Sequence, residues 1–250
     1  MSGAYGRFAQ VYDKLQQDVP YAEMAKLFDE FIKEYSSENE VVVDLACGTG
    51  NLSEEMYKLG YDVIGVDLSQ DMLNEALEKK YDKGLDISYI CQDMTELDLY
   101  GAADVVICVL DSLNHLSCAD DLAKTVERVS MFTCDGGLFI FDVNTLYKHR
   151  VILGDNVFCY DPDGLFCVWR NEALEDGSVN IALDFFEERD DGSYSRYGEE
   201  FREIVFSPEF IEDCLSKNHF EMIGRFDGFS KEPPCDESQR ILYVCRRSAR

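Results

Sequence analysis

Seven residues, Asp44-Leu45-Ala46-Cys47-Gly48-Thr49-Gly50, carry the strongest chemical signal in the chain. They follow the β-branched run Val41-Val42-Val43 and precede an amphipathic stretch through Leu52, Met56 and Leu59, so they turn a strand into a helix. Two glycines in such a turn let the backbone pass close to a ligand at the carboxyl edge of a parallel sheet. A second acid, Asp67, ends the next strand 17 residues after Gly50, and a carboxylate there accepts hydrogen bonds from both hydroxyls of a ribose. Together they describe a nucleoside site. A dinucleotide fingerprint asks for a third small residue three positions after Gly50, where this chain has Ser53, and does not require an acid such as Asp44 inside the strand. The loop also lacks the Gly-Lys-Ser/Thr ending of a phosphate loop.

The elements that position these residues follow from periodicity. The first 40 residues read as helix, with Met24, Ala25, Leu27, Phe28, Phe31 and Ile32 at helical spacing. Strands are expected at 41–45, 62–67, 87–91, 104–109 and 138–143. Helices follow the loop up to Gly60 and cover 70–81, capped by Ser69, and 119–132. Strands alternating with helices predict a doubly wound, mostly parallel α/β sheet with helices on both faces. After Asn144 three Asp-Gly pairs, Asp163-Gly164, Asp176-Gly177 and Asp191-Gly192, punctuate apolar-alternating segments. Asp-Gly supplies the positive φ of tight hairpins, so a four-stranded antiparallel meander is expected at 156–160, 165–174, 179–188 and 194–206. Ser207-Pro208 then starts a helix to Lys217, with strands at 220–226 and 241–245. The organisation is an N-terminal helical cap (1–40), a core (41–154 and 207–250) and an inserted sheet (155–206) that serves as a substrate lid.

Composition removes several classes. Against 23 Lys+Arg stand 50 Asp+Glu, a formal net charge of −27, which repels phosphate backbones and anionic bilayers. DNA and membrane partners are therefore not expected. The ten cysteines never form a Cys-x-x-Cys pair, and Cys91, Cys108, Cys167 and Cys245 sit in apolar runs as small buried hydrophobes. With no visible signal peptide they read as reduced thiols of a cytoplasmic protein. Three dispersed histidines leave no basis for a metal site.

The Asp44–Gly50 segment resembles motif I of the class I S-adenosylmethionine-dependent methyltransferases. Val66-Asp67-Leu68-Ser69 followed by Met72-Leu73 is similar to the second motif of that family, and Gln92-Asp93-Met94 to its adenine-binding motif. Tyr5 to Asp13 and Tyr21 resemble the N-terminal cap of bacterial small-molecule members. The resemblance spans roughly residues 5–246. It implies a seven-stranded Rossmann-like sheet whose last strand is antiparallel, with S-adenosylmethionine as cofactor, S-adenosylhomocysteine as product and no metal.

Carried over residue by residue, the resemblance places Gly48 and Gly50, with Ala46, against the methionine and ribose parts. Asp67 takes the ribose hydroxyls, Leu68 and Met72 lie at the adenine, and Asp93 accepts from the adenine amino group beside the Met94 backbone. Asp44 orients the loop or reaches the methionine amino group, and Tyr12 closes the site from the cap. Leu110 and Asp111, past the fourth strand, line the methyl-transfer cleft, where Asp111 and His115 are the candidate general bases. Their alternative is a helix-capping network with Asp111, Ser112 or Asn114. The DNA amino-methyltransferase motif Asn/Asp-Pro-Pro-aromatic is replaced here by Leu110-Asp111-Ser112-Leu113. Residues 155–206 hold 14 acidic and 4 basic residues and ten aromatics, among them Tyr160, Trp169 and Tyr197. Such a wall suits a small-molecule acceptor that is an amine or another cation. Rival readings are a methyltransferase for a protein or RNA component, a dinucleotide oxidoreductase and a non-catalytic nucleoside-binding partner protein. Either a monomer or a dimer is compatible with the sequence.

Overall fold

The computed structural model describes residues 5–36, 40–162 and 164–249. Residues 1–4 and 37–39 of the expected cap, and Asp163 of the first Asp-Gly pair, lie outside the described residues. The chain runs α1 (Tyr5–Leu15), α2 (Tyr21–Tyr35), β1 (Val41–Leu45), α3 (Asn51–Lys58), β2 (Asp62–Asp67), α4 (Gln70–Lys83), β3 (Ser88–Cys91), β4 (Ala103–Cys108), α5 (Ala119–Phe132) and β5 (Thr133–Asn144). It continues through β6 (Val157–Tyr160), β7 (Leu165–Ala173), β8 (Val179–Glu188), β9 (Tyr194–Glu203), α6 (Pro208–Lys217), β10 (Phe220–Asp227) and β11 (Arg240–Arg247).

Seven strands form one sheet in the order β10-β11-β5-β4-β1-β2-β3, and β6-β7-β8-β9 form a separate antiparallel sheet. All neighbours in the large sheet pair in parallel except β11, which runs antiparallel to both β5 and β10. This is the fold expected from the sequence. Alternation along β5 sends Phe139, Phe141 and Val143 to one face, against α5 and α6. Leu138 and Ile140 go to the other, against α2 and α3. Burial on both faces explains why these strands read as continuous apolar runs. Helix α2 is thus part of a core layer through Met24, Phe28, Phe31 and Ile32, whereas α1 packs Phe8 and Val11 on the inner face of the small sheet.

Three local expectations shift. Strand β5 starts at Thr133 rather than 138, because Gly136 (φ +83°) and the bulge opposite Ala103/Val105 carry it backward; a Cβ on Gly137 would lie 2.6 Å from the Asp104 carbonyl oxygen. A π-helical turn, Lys148–Leu153, follows β5 where no regular element was expected. Cys108, Cys167 and Cys245 are buried, but Cys91 is exposed because β3 is the edge strand. Among the described residues no helix is long and apolar enough to cross a membrane.

Candidate functional site

The 46–50 turn is held by the strands beneath it. Cys47 N donates to Val66 O at 3.0 Å, and Gly48 N donates to Asp67 Oδ2 at 2.8 Å. Ser69 N donates to Asp67 Oδ1 at 2.8 Å, so one carboxylate joins the turn to the start of α4. Burial pushes the Asp67 carboxyl up, with the bonds from Ser69 and Gly48 opposing. Ala46, Gly48 and Gly50 all have positive φ (+60°, +54° and +80°). The glycines serve different ends. A Cβ on Gly48 would meet nothing within 4 Å, leaving that backbone open to a ligand, whereas one on Gly50 would lie 2.4 Å from the Tyr89 hydroxyl. Gly50 therefore answers an internal packing demand that the sequence alone did not reveal.

Asp44 is buried and accepts from Ser53 Oγ at 2.5 Å. Burial raises its pKa to about 6, against the opposing Ser53 bond. An acid whose folded-state pKa exceeds its unfolded value keeps its proton longer when folded, so this contribution to stability is present at low pH and is lost as pH rises from about 4 through about 6. Asp44→Asn keeps an oxygen for Ser53 and carries no charge. It is expected to stabilise the ligand-free protein at pH 8 by about 1–3 kcal/mol, with the gain shrinking toward pH 4. Urea unfolding at both pH values checks this, and a gain that does not depend on pH contradicts it.

Helix α1 reaches this turn through Asp13. Its carboxylate accepts from Thr49 Oγ1 (2.6 Å), Asn51 Nδ2 (2.9 Å) and Lys79 Nζ (2.7 Å), tying the cap, the turn and α4 together. Burial alone would raise the Asp13 pKa, but Lys79 and Thr49 hold it below the usual range. Tyr12, beside it, shares one cavity with Asp44, Ala46, Gly48, Leu110 and Ser112. Burial pushes the Tyr12 hydroxyl pKa up, and Tyr21, Asp111 and Asp67 reinforce the shift.

The residues assigned to adenine lie at the carboxyl ends of β2 and β3. Met72 is buried, while Leu68 is 69% exposed. Asp93 caps the short 3-10 turn Met94–Glu96, its Oδ1 accepting from Thr95 N and Thr95 Oγ1, both at 2.8 Å. A capping role for Asp93 was not part of the sequence reading, although Asp followed two residues later by Thr is a familiar Asx-turn pattern.

Past β4 the chain makes two consecutive left-handed residues, Leu110 (φ +60°) and Asp111 (φ +57°), each costing about 1 kcal/mol or more. Asp142 on β5 holds them by accepting from Leu110 N (2.5 Å) and Asp111 N (3.1 Å). Arg240 on β11 then bridges Asp142 and Asp111, with Nη2 2.5 Å from Asp111 Oδ1. Burial would raise the Asp111 pKa, yet Arg240, with Lys148 and His115, holds it below the usual carboxylate range. Asp111 precedes the short turn Ser112–His115 but gives it no side-chain cap, while Ser112 Oγ donates to Val109 O and Asn114 Nδ2 to Ile204 O. His115 Nε2 lies 3.9 Å from Asp111 Oδ2, beyond a hydrogen bond, and its ring faces Phe201 at 4.9 Å.

Asp142 and Arg240 escaped the sequence reading, although an acid in the apolar run Leu138 to Val143 was a visible signal. The small sheet adds Glu203, whose carboxylate accepts from Asn144 Nδ2 at 2.7 Å and lies 3.3 Å from His149 Nε2. Ligand atoms of Asp111, His115 and Glu203 fall within 4.8 Å of one another, but Asp111 is engaged by Arg240 and Glu203 by Asn144.

The three aromatics that the sequence reading offered for the acceptor split into two groups. Tyr160 and Trp169 pack together at 6.1 Å near the β6 edge, and Trp169 Nε1 donates to Asn171 Oδ1. Tyr197 lies on β9, at the opposite edge, stacked on Phe185 at 5.2 Å. Two of the acids of this sheet are paired on its outer side: Asp184 with Arg170 and Arg196, and Asp176 with Arg202.

Residues 42–137 match the family described as a methyltransferase domain. A protein of Geobacillus sp. (strain WCH70) that bears a methyltransferase name is 31% identical over 97% of this chain and 99% of its own length. The crystal structure of an S-adenosylmethionine-dependent methyltransferase from Clostridium acetobutylicum ATCC 824 is 36% identical, covers 98% of this chain and 99% of its own, and superposes with a TM-score of 0.88. The fold also matches S-adenosylmethionine-bound CalS10, an amino pentose methyltransferase from Micromonospora echinaspora, with 18% identity, 97% coverage of both chains and a TM-score of 0.75.

Proposed function

The chain belongs to the class I S-adenosylmethionine-dependent methyltransferases, and from that premise we propose that it moves the methyl group of S-adenosylmethionine to a nitrogen or oxygen of a small molecule by in-line displacement. The observation that carries this reading is the one cavity bordered by the Gly48 turn, Tyr12 of the cap and the Leu110–Ser112 segment. It joins the glycine turn to the residues past β4. In this reading Asp67 holds the ribose hydroxyls and the open backbone at Ala46 and Gly48 meets the methionine part. Leu68, Met72, Asp93 and Met94 border the adenine.

When bound, S-adenosylmethionine supplies a methyl activated on a sulfonium: the acceptor's lone pair forms the new bond to carbon while the S–C pair returns to sulfur. Such a displacement depends chiefly on alignment. Asp111, kept ionised by Arg240, is a poor proton acceptor but a fixed negative wall. An acceptor that must lose a proton gives it to His115, the more exposed of the two at 43%. His115→Ala is therefore expected to lower kcat by about 100-fold or more while leaving the affinity for S-adenosylhomocysteine within about twofold. Equal losses in both would assign His115 a structural role.

The direct test is calorimetric titration with S-adenosylmethionine and S-adenosylhomocysteine, with NAD and NADP as controls. Binding of the first pair alone is expected and licenses an acceptor screen beginning with amines. Binding of a dinucleotide alone would overturn the reading.

A further inference from the structure

Glycine inside a strand weakens it and commonly marks a place where another group must come close. Gly65 is buried in the interior of β2, and its φ lies outside the left-handed region, so the backbone itself does not ask for glycine. The register sets it between Asp44 on β1 and Tyr89 on β3. Residues paired in this way share one face of a sheet, so Tyr89, Gly65 and Asp44 form a row. A Cβ on Gly65 would lie 2.5 Å from both Cδ1 and Cε1 of Tyr89. The ring therefore crosses over the glycine in the direction of Asp44. Its far end arrives beneath the turn, where a Cβ on Gly50 would lie 2.4 Å from the hydroxyl. Two glycines, one in β2 and one in the turn, form the sides of a single slot that holds one ring.

The Tyr89 hydroxyl is hydrogen-bonded to Ser53 on α3. Ser53 Oγ gives its own proton to Asp44 Oδ2 at 2.5 Å. A serine hydroxyl has one proton to give, so Tyr89 is the donor to Ser53. Burial pushes the Tyr89 hydroxyl pKa up and so keeps that proton in place. The series Tyr89, Ser53, Asp44 ends on a carboxylate that borders the cavity of the glycine turn. Hydrogen bonds in series polarise one another, so a donor two steps away still acts on the acid. Tyr89 itself stands on the edge strand, outside the Asp44–Gly50 segment, and does not border the cavity.

We propose that Tyr89 is the positioning residue of the cofactor turn: its ring, wedged between Gly65 and Gly50, seats the turn, and its hydroxyl orients Asp44 through Ser53. This rests on the methyltransferase reading above and adds to it a residue that acts on the cofactor only through others. Gly48 is small for the ligand, whereas Gly50 and Gly65 are small for Tyr89.

The test is calorimetric titration of S-adenosylhomocysteine into variants whose thermal unfolding shows them folded. Tyr89→Phe keeps the wedge and removes the donor, and is expected to weaken binding about fivefold. Gly65→Ala drives a methyl against the ring and is expected to weaken it at least about tenfold. In a Tyr89→Ala background the ring is gone, and the nearest group left to the new methyl is Cys47 Sγ at 3.0 Å, the movable end of a side chain. There the same Gly65→Ala should cost less than about threefold, a coupling that a double-mutant cycle isolates. Losses that simply multiply in the double variant, or an unchanged Kd for Tyr89→Phe, would each overturn the proposal. So would variants that melt lower yet bind as the wild type does, the mark of a residue that serves stability alone. Should Gly65→Ala fail to fold by itself, recovery of folding in the double variant supports the slot, its absence overturns it, and Tyr89→Phe decides the effect on the cofactor. Failure of the wild-type protein to bind S-adenosylhomocysteine would instead count against the methyltransferase reading itself.

Discussion

Asp67→Ala is expected to weaken binding of S-adenosylhomocysteine by about 2–4 kcal/mol, roughly 30- to 1,000-fold in Kd. The side chain stands at the carboxyl end of β2 with Gly48 N and Ser69 N on its two oxygens. It therefore acts twice, fixing the turn that meets the ligand and offering the charge that ribose hydroxyls would share. Burial already disfavours the charged form, which makes bonds to its oxygens worth more than they would be in water. Titration calorimetry of the variant, with thermal unfolding as the control for folding, measures the loss. An unchanged Kd would sink the assignment. Asp67→Asn should fall between the two, since it keeps one oxygen and loses the charge.

The second large effect is one of stability. Arg240→Ala should destabilise the protein by about 3–5 kcal/mol, because removing one member of a buried ionic network leaves the others uncompensated. Here the survivors are Asp142, fully buried, and Asp111, largely so. For a chain of this size that corresponds to a melting temperature lower by about 6–20 °C. The pH dependence provides a sharper signature. Without Arg240 the two carboxyls have raised folded-state pKa values, so the variant's deficit is greatest at pH 8 and shrinks as acid protonates them. Differential scanning calorimetry from pH 8 to 5 checks this, and a constant deficit would mean that Arg240 acts by packing alone. Loss of the Leu110–Asp111 geometry should accompany it, because the same Asp142 oxygens hold those two backbone N–H groups.

The parts of this protein legible in its sequence are those governed by short-range rules. The β-branched run 41–45, buried on both faces, could hardly be anything but an interior strand. Ser69 and Ser207 cap α4 and α6 as their positions demand. Asp176-Gly177 and Asp191-Gly192 turn the small sheet with φ values of +86° and +77° at the glycines. What stayed hidden depends on residues far apart in the chain. Arg240 meets Asp111 across 129 positions and Asp142 across 98, and no local pattern encodes that pairing. Asp13 entered the sequence reading only as part of the cap segment, and its bonds to Thr49 and Lys79 arise only once α1 is laid over the turn. Glu199 vanished within an acidic composition that treats every carboxylate alike. Only the alternation of β9 separates the exposed Glu200 from the buried Glu199 and Glu203. The 46–50 turn and Asp67 form a local motif, whereas the cluster past β4 is assembled from β5, β9 and β11.

That asymmetry has a bearing on how the molecule comes into being. Strand β11 is the final strand of the sheet in sequence, yet it lies inside, between β5 and β10. It closes a ladder to β5 across roughly a hundred residues, and pairings so remote in sequence form slowly. On the ribosome the strands that carry the Gly48 turn and Asp67 emerge early and pair with near neighbours. Asp111 and Asp142 lack the Arg240 guanidinium that bridges them until β11 slots in. Strand β11 thus emerges after every other strand of its sheet, and a nascent chain still waiting for it has the Gly48 turn in place before the segment past β4 is braced.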